Sequence, residues 1–337
     1  DLRNYRGNKR TYQNQDLGPY VAQEMNRCIQ CYRCVRTYQD YCGGRDFGAM
    51  GSRQRVFFGR FRDGMLESDF SGNIVDVCPT GVLTDKTFRF KTRLWDLEQA
   101  PSICPHCSLG CATVPGGRYR ELQRVVSGVN LQTNGHFICD RGRFGSGYVN
   151  HPARPRHARA GGSRVSVTDA VDSLLRRISE TVSQHGPEAV AMVGSGRASL
   201  EANLLLRQWA AELNCPPPVF ELHPRRARAI RQTVGTLSDH LASLRQVRKS
   251  DLVVVFGADP LAEAPMLALA LRQVVRAGGR VVVLDPRPVE LPCEFEHHPL
   301  TQEKILCLLA GNCEKELFNR LLQDLMAARP PVLVGGG

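Results

Sequence analysis

The chain has 337 residues, 42% of them hydrophobic, and 44 Lys and Arg against 33 Asp and Glu, a net charge of +11. That length predicts two or three domains with packed cores. It exceeds that of a small secreted disulfide scaffold despite 13 cysteines; its apolar runs, such as Leu252 to Phe256, are too short to span a bilayer; and the basic excess comes without a nucleic-acid reader motif.

In chain order, residues 1–20 read as a polar, extended arm. The start, Asp1-Leu2-Arg3, lacks Met, and no signal peptide is visible. Residues 21–42 read as helical, with Gly43-Gly44 as the stop signal. Within them, Cys28, Cys31 and Cys34 stand at i, i+3 and i+6. Three thiols so spaced on a tight turn converge on one inorganic core, and the spacing opens the bacterial iron–sulfur run C-x2-C-x2-C. The fourth ligand expected close behind is missing, since position 38 is Tyr. Cys78-Pro79 supplies a later candidate, because proline biases the residue before it toward an extended backbone that holds its thiolate outward. Cys42 is the nearer rival, in a Tyr-Cys-Gly-Gly turn. The reading favours one [4Fe-4S] site on Cys28, Cys31, Cys34 and Cys78; a closed zinc site uses the same four thiolates.

Residues 52–75 alternate around Val56-Phe57-Phe58 and Met65-Leu66, with Ser71-Gly72-Asn73 as a turn. Helical spacing after Thr80 carries Val82 and Leu83 away from the thiols, and Trp95 and Leu97 are expected to pack the junction to the next domain. The second constellation is Cys104, Cys107 and Cys111, C-x2-C-x3-C, followed at a distance by Cys139. Gly116-Gly117 and Asn134-Gly135 are turn signals between short alternating stretches, which predicts a small antiparallel sheet returning Cys139 to the first three. Zinc again fits the ligand type, and His106 reads as a donor to a ligand rather than a ligand itself.

Residues 151–164 form a Pro/Arg/Gly linker. Thr168 then caps a helix whose Val171, Leu174, Leu175, Ile178 and Val182 share one face. From Glu188 strands and helices alternate: a buried strand Ala189 to Val193, a helix Leu200 to Leu213 capped by Ser199, a strand Leu252 to Phe256, a helix Pro265 to Ala277, a strand Val281 to Leu284 and another at Val332 to Val334. This predicts an α/β domain with a parallel sheet and right-handed crossovers. Gly257 and Asp285 fall at strand C-termini, where such sheets bind ligands. However, G-x-G-x-x-G is absent and Pro260 removes a backbone donor. His297-His298 reads as a solvated loop pair. Cys42, Cys215, Cys293, Cys307 and Cys313 belong to neither ligand set.

Glu24-Met25-Asn26-Arg27-Cys28 through Cys34-Val35-Arg36, Ser71-Gly72-Asn73 and Cys78-Pro79-Thr80-Gly81 resemble the family of large iron–sulfur subunits (the G subunit) of bacterial NADH:quinone oxidoreductase, respiratory complex I. The resemblance runs from about Asn14 to Arg156; beyond that it is weaker and points to the molybdopterin-oxidoreductase-like domain of the same subunit. Pro101-Ser102-Ile103-Cys104 and Cys139-Asp140-Arg141-Gly142-Arg143-Phe144-Gly145 are similar to the segment that opens molybdenum and tungsten bis-pterin oxidoreductases, in its complex I version. In catalytic formate dehydrogenases the residue two past the last Cys is typically Lys, and here it is Arg141.

The resemblance implies α+β iron–sulfur domains at 1–100 and 101–155, each with one [4Fe-4S] cluster, and a degenerate molybdopterin-oxidoreductase-like α/β domain at 156–337. It implies an electron relay from NADH and FMN toward quinone, with no substrate chemistry on this chain. The second cluster then lies off the main path, no molybdenum cofactor is expected, and Gly257 and Asp285 are remnants of a pterin site. No Cys stands near His223-Pro224-Arg225, where catalytic relatives place a metal ligand. The implied partners are the flavin/NADH subunit and the quinone-side iron–sulfur subunits, at the cytoplasmic face of the bacterial inner membrane, with membrane attachment only through them. The excess arginines, among them Arg27, Arg33 and Arg36, compensate anionic clusters and contact subunits. The resemblance also implies a fragment missing upstream cluster domains and a downstream continuation. The alternative is a subunit of a molybdenum- or tungsten-dependent formate dehydrogenase.

Overall fold

The computed structural model describes residues 11–221, 223–237 and 240–336; half of the expected polar arm, residues 1–10, lies outside them. The chain divides into two compact units. One comprises the residues up to 150 together with those from 242 onward, and the other residues 151–241.

In the first unit, β1 (Val21–Gln23), β2 (Phe47–Met50), β3 (Phe57–Arg60) and β4 (Leu83–Asp85) form two antiparallel ribbons, β1 with β4 and β2 with β3. Leu17, Val21, Met25, Tyr38, Phe47, Phe58, Ile74 and Leu83 pack into one core between them. The helix expected over 21–42 exists only in its last part. It starts at Arg33 and continues as a wide π-type turn over Arg36–Tyr41. Residues 28–32 do not coil because Gln30 (φ 58°) and Tyr32 (φ 59°) are left-handed, a conformation that interrupts a right-handed helix.

Next come β5 (Glu98–Gln99), β6 (Ser102–Ile103), β7 (Ala112–Arg118) and β8 (Glu121–Ser127). All three others pair antiparallel with β7, so the expected small antiparallel sheet is present, but Gly116-Gly117 is not its turn: both lie inside β7 at a register shift, and the chain turns at the left-handed Tyr119-Arg120. Trp95 does not pack a junction: it is 80% exposed, held in a short turn with the Arg93 guanidinium over its ring.

The second unit holds the ribbon β9 (Arg159–Ala160) and β10 (Ser163–Arg164) and the helices Val167–His185, Leu200–Glu212 and Pro224–Leu237. Ser199 caps as expected, its hydroxyl accepting from the Ala202 amide. The first helix is capped by Ser166, not Thr168, with the Asp169 amide donating to Ser166 Oγ. The buried strand expected at Ala189 to Val193 is absent. Ala189 ends a short 3-10 turn, and Val193 makes only a single parallel bridge to Val219 while remaining exposed. Without a run of paired neighbours the apolar stretch has no ladder to join.

Back in the first unit, β11 (Leu252–Phe256), β12 (Arg280–Leu284), β13 (Glu296–His298) and β14 (Pro331–Gly335) form a parallel sheet in the order β13-β12-β11-β14. The helix Pro265–Arg276 crosses between β11 and β12. Alternation splits the sheet into two faces. Leu252, Val254, Val282 and Leu284 pack on Ile305, Leu308 and Leu321. Val253, Val255, Val281 and Val283 join Met266, Leu269 and Val274 in a core that continues to Ile138, Cys104, Cys111 and Cys139. The sheet is therefore packed as one body with the second thiol set.

Arg272, with Gln273 beside it donating to the Tyr41 carbonyl at 3.1 Å, ties the parallel-sheet segment to the first thiol segment. Arg272 donates to the carbonyls of Gln39 (2.8 Å), Asp40 (3.0 Å) and Tyr41 (3.2 Å), the last turn of the helix that follows Cys34, and to that of Pro292 (2.5 Å). A guanidinium is suited to this, since several of its five donors can be satisfied at once on the carbonyls of a helix end; the Gln39 carbonyl also accepts from the Gly43 amide. His297 and His298 are not solvated loop residues. They sit on β13, half-buried, with His297 Nε2 2.9 Å from the Asp285 carbonyl and His298 Nε2 2.8 Å from Glu296 Oε1.

Candidate metal centres

Cys28, Cys31, Cys34 and Cys78 line a single small cavity together with Ile29, Tyr32, Phe58, Pro79, Val82 and Leu83. Local backbone explains the convergence. Left-handed Gln30 and Tyr32 fold the first three thiols to one side, and the Gln30 amide donates to Cys28 Sγ at 3.3 Å. Successive residues of opposite hand form a concave nest of amides suited to an anion. The β1–β4 ribbon, with Glu24 N donating to Val82 O at 2.7 Å, lays 24–28 beside 78–82. Cys78 closes the helix Asn73–Val77 in an extended conformation (φ −78°, ψ 111°), as a residue before proline should. Val82 and Leu83 are not carried away. A turn at 80–82 leads straight into β4, and both side chains wall the cavity. Cys42 is fully buried in the core that holds Phe70 and does not line it.

The second set is built on a closed loop. β6 and β7 pair Ile103 with Ala112, and the Cys104 amide donates to the Cys111 carbonyl at 2.8 Å, so those two cysteines begin and end one loop. Fully buried Asn134 pins its base: Oδ1 accepts from Ala112 N at 2.9 Å, and Nδ2 donates to the carbonyls of Gly128 (2.9 Å) and Phe137 (3.1 Å). Cys139 N-caps the helix Asp140–Phe144, with the Gly142 amide donating to its Sγ at 3.4 Å. A Cβ added at Gly142 would stand 3.4 Å from Cys104 Sγ and 3.6 Å from Cys139 Sγ, so both thiols bracket that glycine. His106 lies against Gly145 and edge-on to Tyr148. Arg141 donates to the carbonyls of Ala262 (2.7 Å) and Glu263 (3.2 Å), and its charge acts on Cys104 and Cys139.

The electrostatics reveal the same two groupings. Burial, then the neighbouring thiols Cys78, Cys28 and Cys31, pushes Cys34 up to about 12. Burial followed by Cys107, Cys139 and Cys104 does the same to Cys111, also to about 12. Burial raises Cys139 to about 11, against the opposing Gly142 amide. Burial and crowded like charges disfavour ionisation; a bound metal group would supply the opposite charge that permits it. Among the described residues, no three His, Cys, Asp or Glu side chains stand close enough to hold a single metal ion. The donor set and the amide nest fit a [4Fe-4S] group at the first site. At the second, four thiols on one closed loop and one helix cap fit the same group.

These shifts predict a pH dependence. In the cluster-free chain the neutral thiol is favoured by the fold. The stability it contributes is complete below pH 9.0 and is lost as pH rises from there through about 12. Iron binding runs the other way, because each ligand must release its proton. Apparent iron affinity, measured by chelator competition, is expected to climb by up to about tenfold per thiol for each pH unit gained above neutrality. A pH-independent affinity would show that the ligands are not these thiols.

At the C-terminal edge of the parallel sheet, Gly257 and Asp285 line a second cavity with Phe256, Arg287, Ile305 and Leu306. Asp285 is 1% exposed and forks onto Arg287, Oδ1 to Nε at 2.9 Å and Oδ2 to Nη2 at 2.8 Å. Its carboxyl is held below the usual range, foremost by that hydrogen bond. Its acceptors already face a side chain of the same loop. Sequence reasoning missed Asn73, Asn134 and Asp140, whose roles depend on long-range pairing. Their only sequence signal was a place beside a turn or a cysteine.

Three family profiles match the chain: NADH-quinone oxidoreductase subunit 3, ferredoxin-like domain, over residues 18–84; molybdopterin oxidoreductase Fe4S4 domain over 97–151; and molybdopterin oxidoreductase over 159–326. The G subunit of NADH-quinone oxidoreductase from Shewanella oneidensis is 45% identical over 279 residues, 82% of this chain and 30% of that protein. The corresponding G subunits of Pseudomonas fluorescens (45% over 276 residues, 81% and 30%) and Escherichia coli (43% over 280 residues, 83% and 31%) are similar. The chain thus spans about 30% of the length of these relatives. Among solved structures, acetylene hydratase from Pelobacter acetylenicus aligns with a TM-score of 0.43 and 15% identity over 63% of this chain and 30% of that one.

Proposed function

Because the chain belongs to the family of G subunits of NADH-quinone oxidoreductase, we propose that it relays electrons inside that complex, from NADH and FMN on a partner subunit toward quinone. The observation that carries this reading is the cavity on which Cys28, Cys31, Cys34 and Cys78 converge. Two [4Fe-4S] groups, when bound, supply one-electron carriers with no substrate chemistry. Cys28, Cys31, Cys34 and Cys78 hold one, and Cys104, Cys107, Cys111 and Cys139 hold the other.

The chain's own residues fix and tune these carriers. Phe58, Val82 and Leu83 wall the inner side of the first site while Cys31 stays exposed, and partial burial raises the effect of nearby charges and donors on potential. The amides of Gln30 and Gly142 donate to Cys28 and Cys139, which withdraws electron density from those sulfurs. The segment 1–100 carries the first site, 101–155 the second, and 156–337 a molybdopterin-oxidoreductase-like domain whose Gly257 and Asp285 no longer hold a pterin. The partners are the flavin subunit and the quinone-side iron–sulfur subunits. The location is the cytoplasmic face of the bacterial inner membrane, peripheral; none of the described helices is long and apolar enough to cross a membrane.

Metal and sulfide analysis of the anaerobically purified protein tests the reading. About eight irons per chain, four for each cubane, with neither zinc nor molybdenum, is the expected result. A colourless zinc protein with intact secondary structure contradicts it, and so does stoichiometric molybdenum or tungsten.

A further inference from the structure

We infer that one buried polar clamp centred on Asn73 positions Cys78 and Cys139 together, so that Asn73, Asp140 and Arg143 act as positioning residues for both metal sites. This rests on the two-site reading above. Cys78 and Cys139 are the distal ligand of each set. Cys78 ends the helix Asn73–Val77, and Cys139 begins the helix Asp140–Phe144.

The residues flanking one are bonded to the residues leading to the other. Before Cys139, Ile138 presents its backbone to the Asn73 amide. Asn73 Nδ2 donates to the Ile138 carbonyl at 2.8 Å, and the Ile138 amide donates to Asn73 Oδ1 at 3.3 Å. The side chain thus pairs with Ile138 as a neighbouring strand would, and its second amide hydrogen reaches the Phe70 carbonyl at 2.9 Å. After Cys139, Asp140 accepts from Ser71 N (3.0 Å), Ser71 Oγ (2.5 Å) and Gly72 N (2.8 Å), while its own amide donates to the Asp69 carbonyl at 2.7 Å. One helical turn on, Arg143 pairs with Asp76, two residues before Cys78, and its Nη2 lies 3.4 Å from Asn73 Oδ1.

Asn73 is fully buried, so its bonds do not compete with water; Arg143 is 3% exposed, while its partner Asp76 is partly open to solvent. The segments also touch sterically: a Cβ on Gly72 would fall 2.6 Å from Arg143 Cδ. The carboxamide at 73 offers both a donor pair and an acceptor. Asp loses the donors to two buried carbonyls, and Ala leaves them and the Ile138 amide unpaired. A displacement of either segment is therefore passed to the other distal cysteine.

The test uses the full-length subunit in its complex, purified anaerobically. In Asn73→Ala, the EPR signals of both reduced clusters are expected to shift or broaden together. Ser71→Ala, which removes only one bond to Asp140, is expected to move the same two signals less. A shift confined to one cluster overturns the clamp, and if Asn73→Ala does not accumulate, Ser71→Ala decides on that criterion. Hydrogen–deuterium exchange provides a readout independent of the clusters. Segments 69–78 and 138–143 are expected to lose protection together in either variant, by about tenfold in Asn73→Ala; loss in 69–78 alone overturns the clamp. A wild-type protein without iron–sulfur signals refutes the relay reading instead, and the exchange arm still decides the clamp.

Discussion

Cys78→Ser is expected to abolish or alter the first cluster's EPR signal and to cut NADH-to-quinone electron flow, while Cys42→Ser leaves both near wild type. The two thiols are chemically alike and differ in where the fold puts them. Cys78 opens onto the cavity with Cys28, Cys31 and Cys34. Cys42 is sealed in a hydrophobic core, its thiol pushed up to about 12 by burial and then by Asp140. Changing a residue behind a metal ligand costs about 10- to 100-fold in affinity or activity; removing a ligand from the proposed electron path is expected to exceed that. The measurement is quinone reductase activity per flavin in the purified variants, alongside low-temperature EPR. The reverse pattern, with Cys42 essential and Cys78 dispensable, would show that the ligand assignment is wrong.

Cys107→Ala is expected to reduce the amount of assembled complex several-fold while turnover per assembled complex stays close to wild type. The second thiol set sits in a four-stranded sheet with little apolar surface of its own. Of the β7 and β8 residues Thr113, Gly116 and Val125 are buried, and Val125 alone of these carries a large apolar side chain; metal ligation supplies folding free energy to segments of this kind. Cys107 lies outside the clamp, so Ile138, Asp140 and Arg143 keep their partners on 69–76 when that ligand is lost, and the first site is spared. If Cys107→Ala complex assembles at wild-type levels yet passes no electrons to quinone, the second cluster lies on the path and the side-path reading fails.

Much of this was legible in the sequence, for local reasons. C-x2-C-x2-C and C-x2-C-x3-C are short enough that a turn brings the thiols together, and Cys78-Pro79 announced its own extended backbone. The β11, β12 and β14 strands and the helix Pro265–Arg276 were legible because each is a continuous apolar run or one with helical periodicity, bounded by turn residues. What failed to show was non-local. Val82 and Leu83 wall the cavity because β4 pairs with a strand some sixty residues earlier in the chain, and no periodicity encodes a partner. The left-handed Gln30 and Tyr32 were hidden because neither residue type advertises that conformation. Val193 reads as a core strand by composition, yet a strand needs a ladder, and only Val219 bridges to it.

The clasp of Arg272 on the helix end at residues 39–41 spans 231 to 233 positions of chain. A ribosome adding about 5 to 20 residues each second needs roughly 10 to 50 s to cover that distance. During synthesis, then, the three thiols at 28, 31 and 34 and even Cys78 emerge long before the group that closes the neighbouring carbonyls. The nascent first site spends that interval with its adjoining helix end open to water. The order of translation thus leaves a window in which iron and sulfide can reach the first site before the parallel sheet locks the helix beside it.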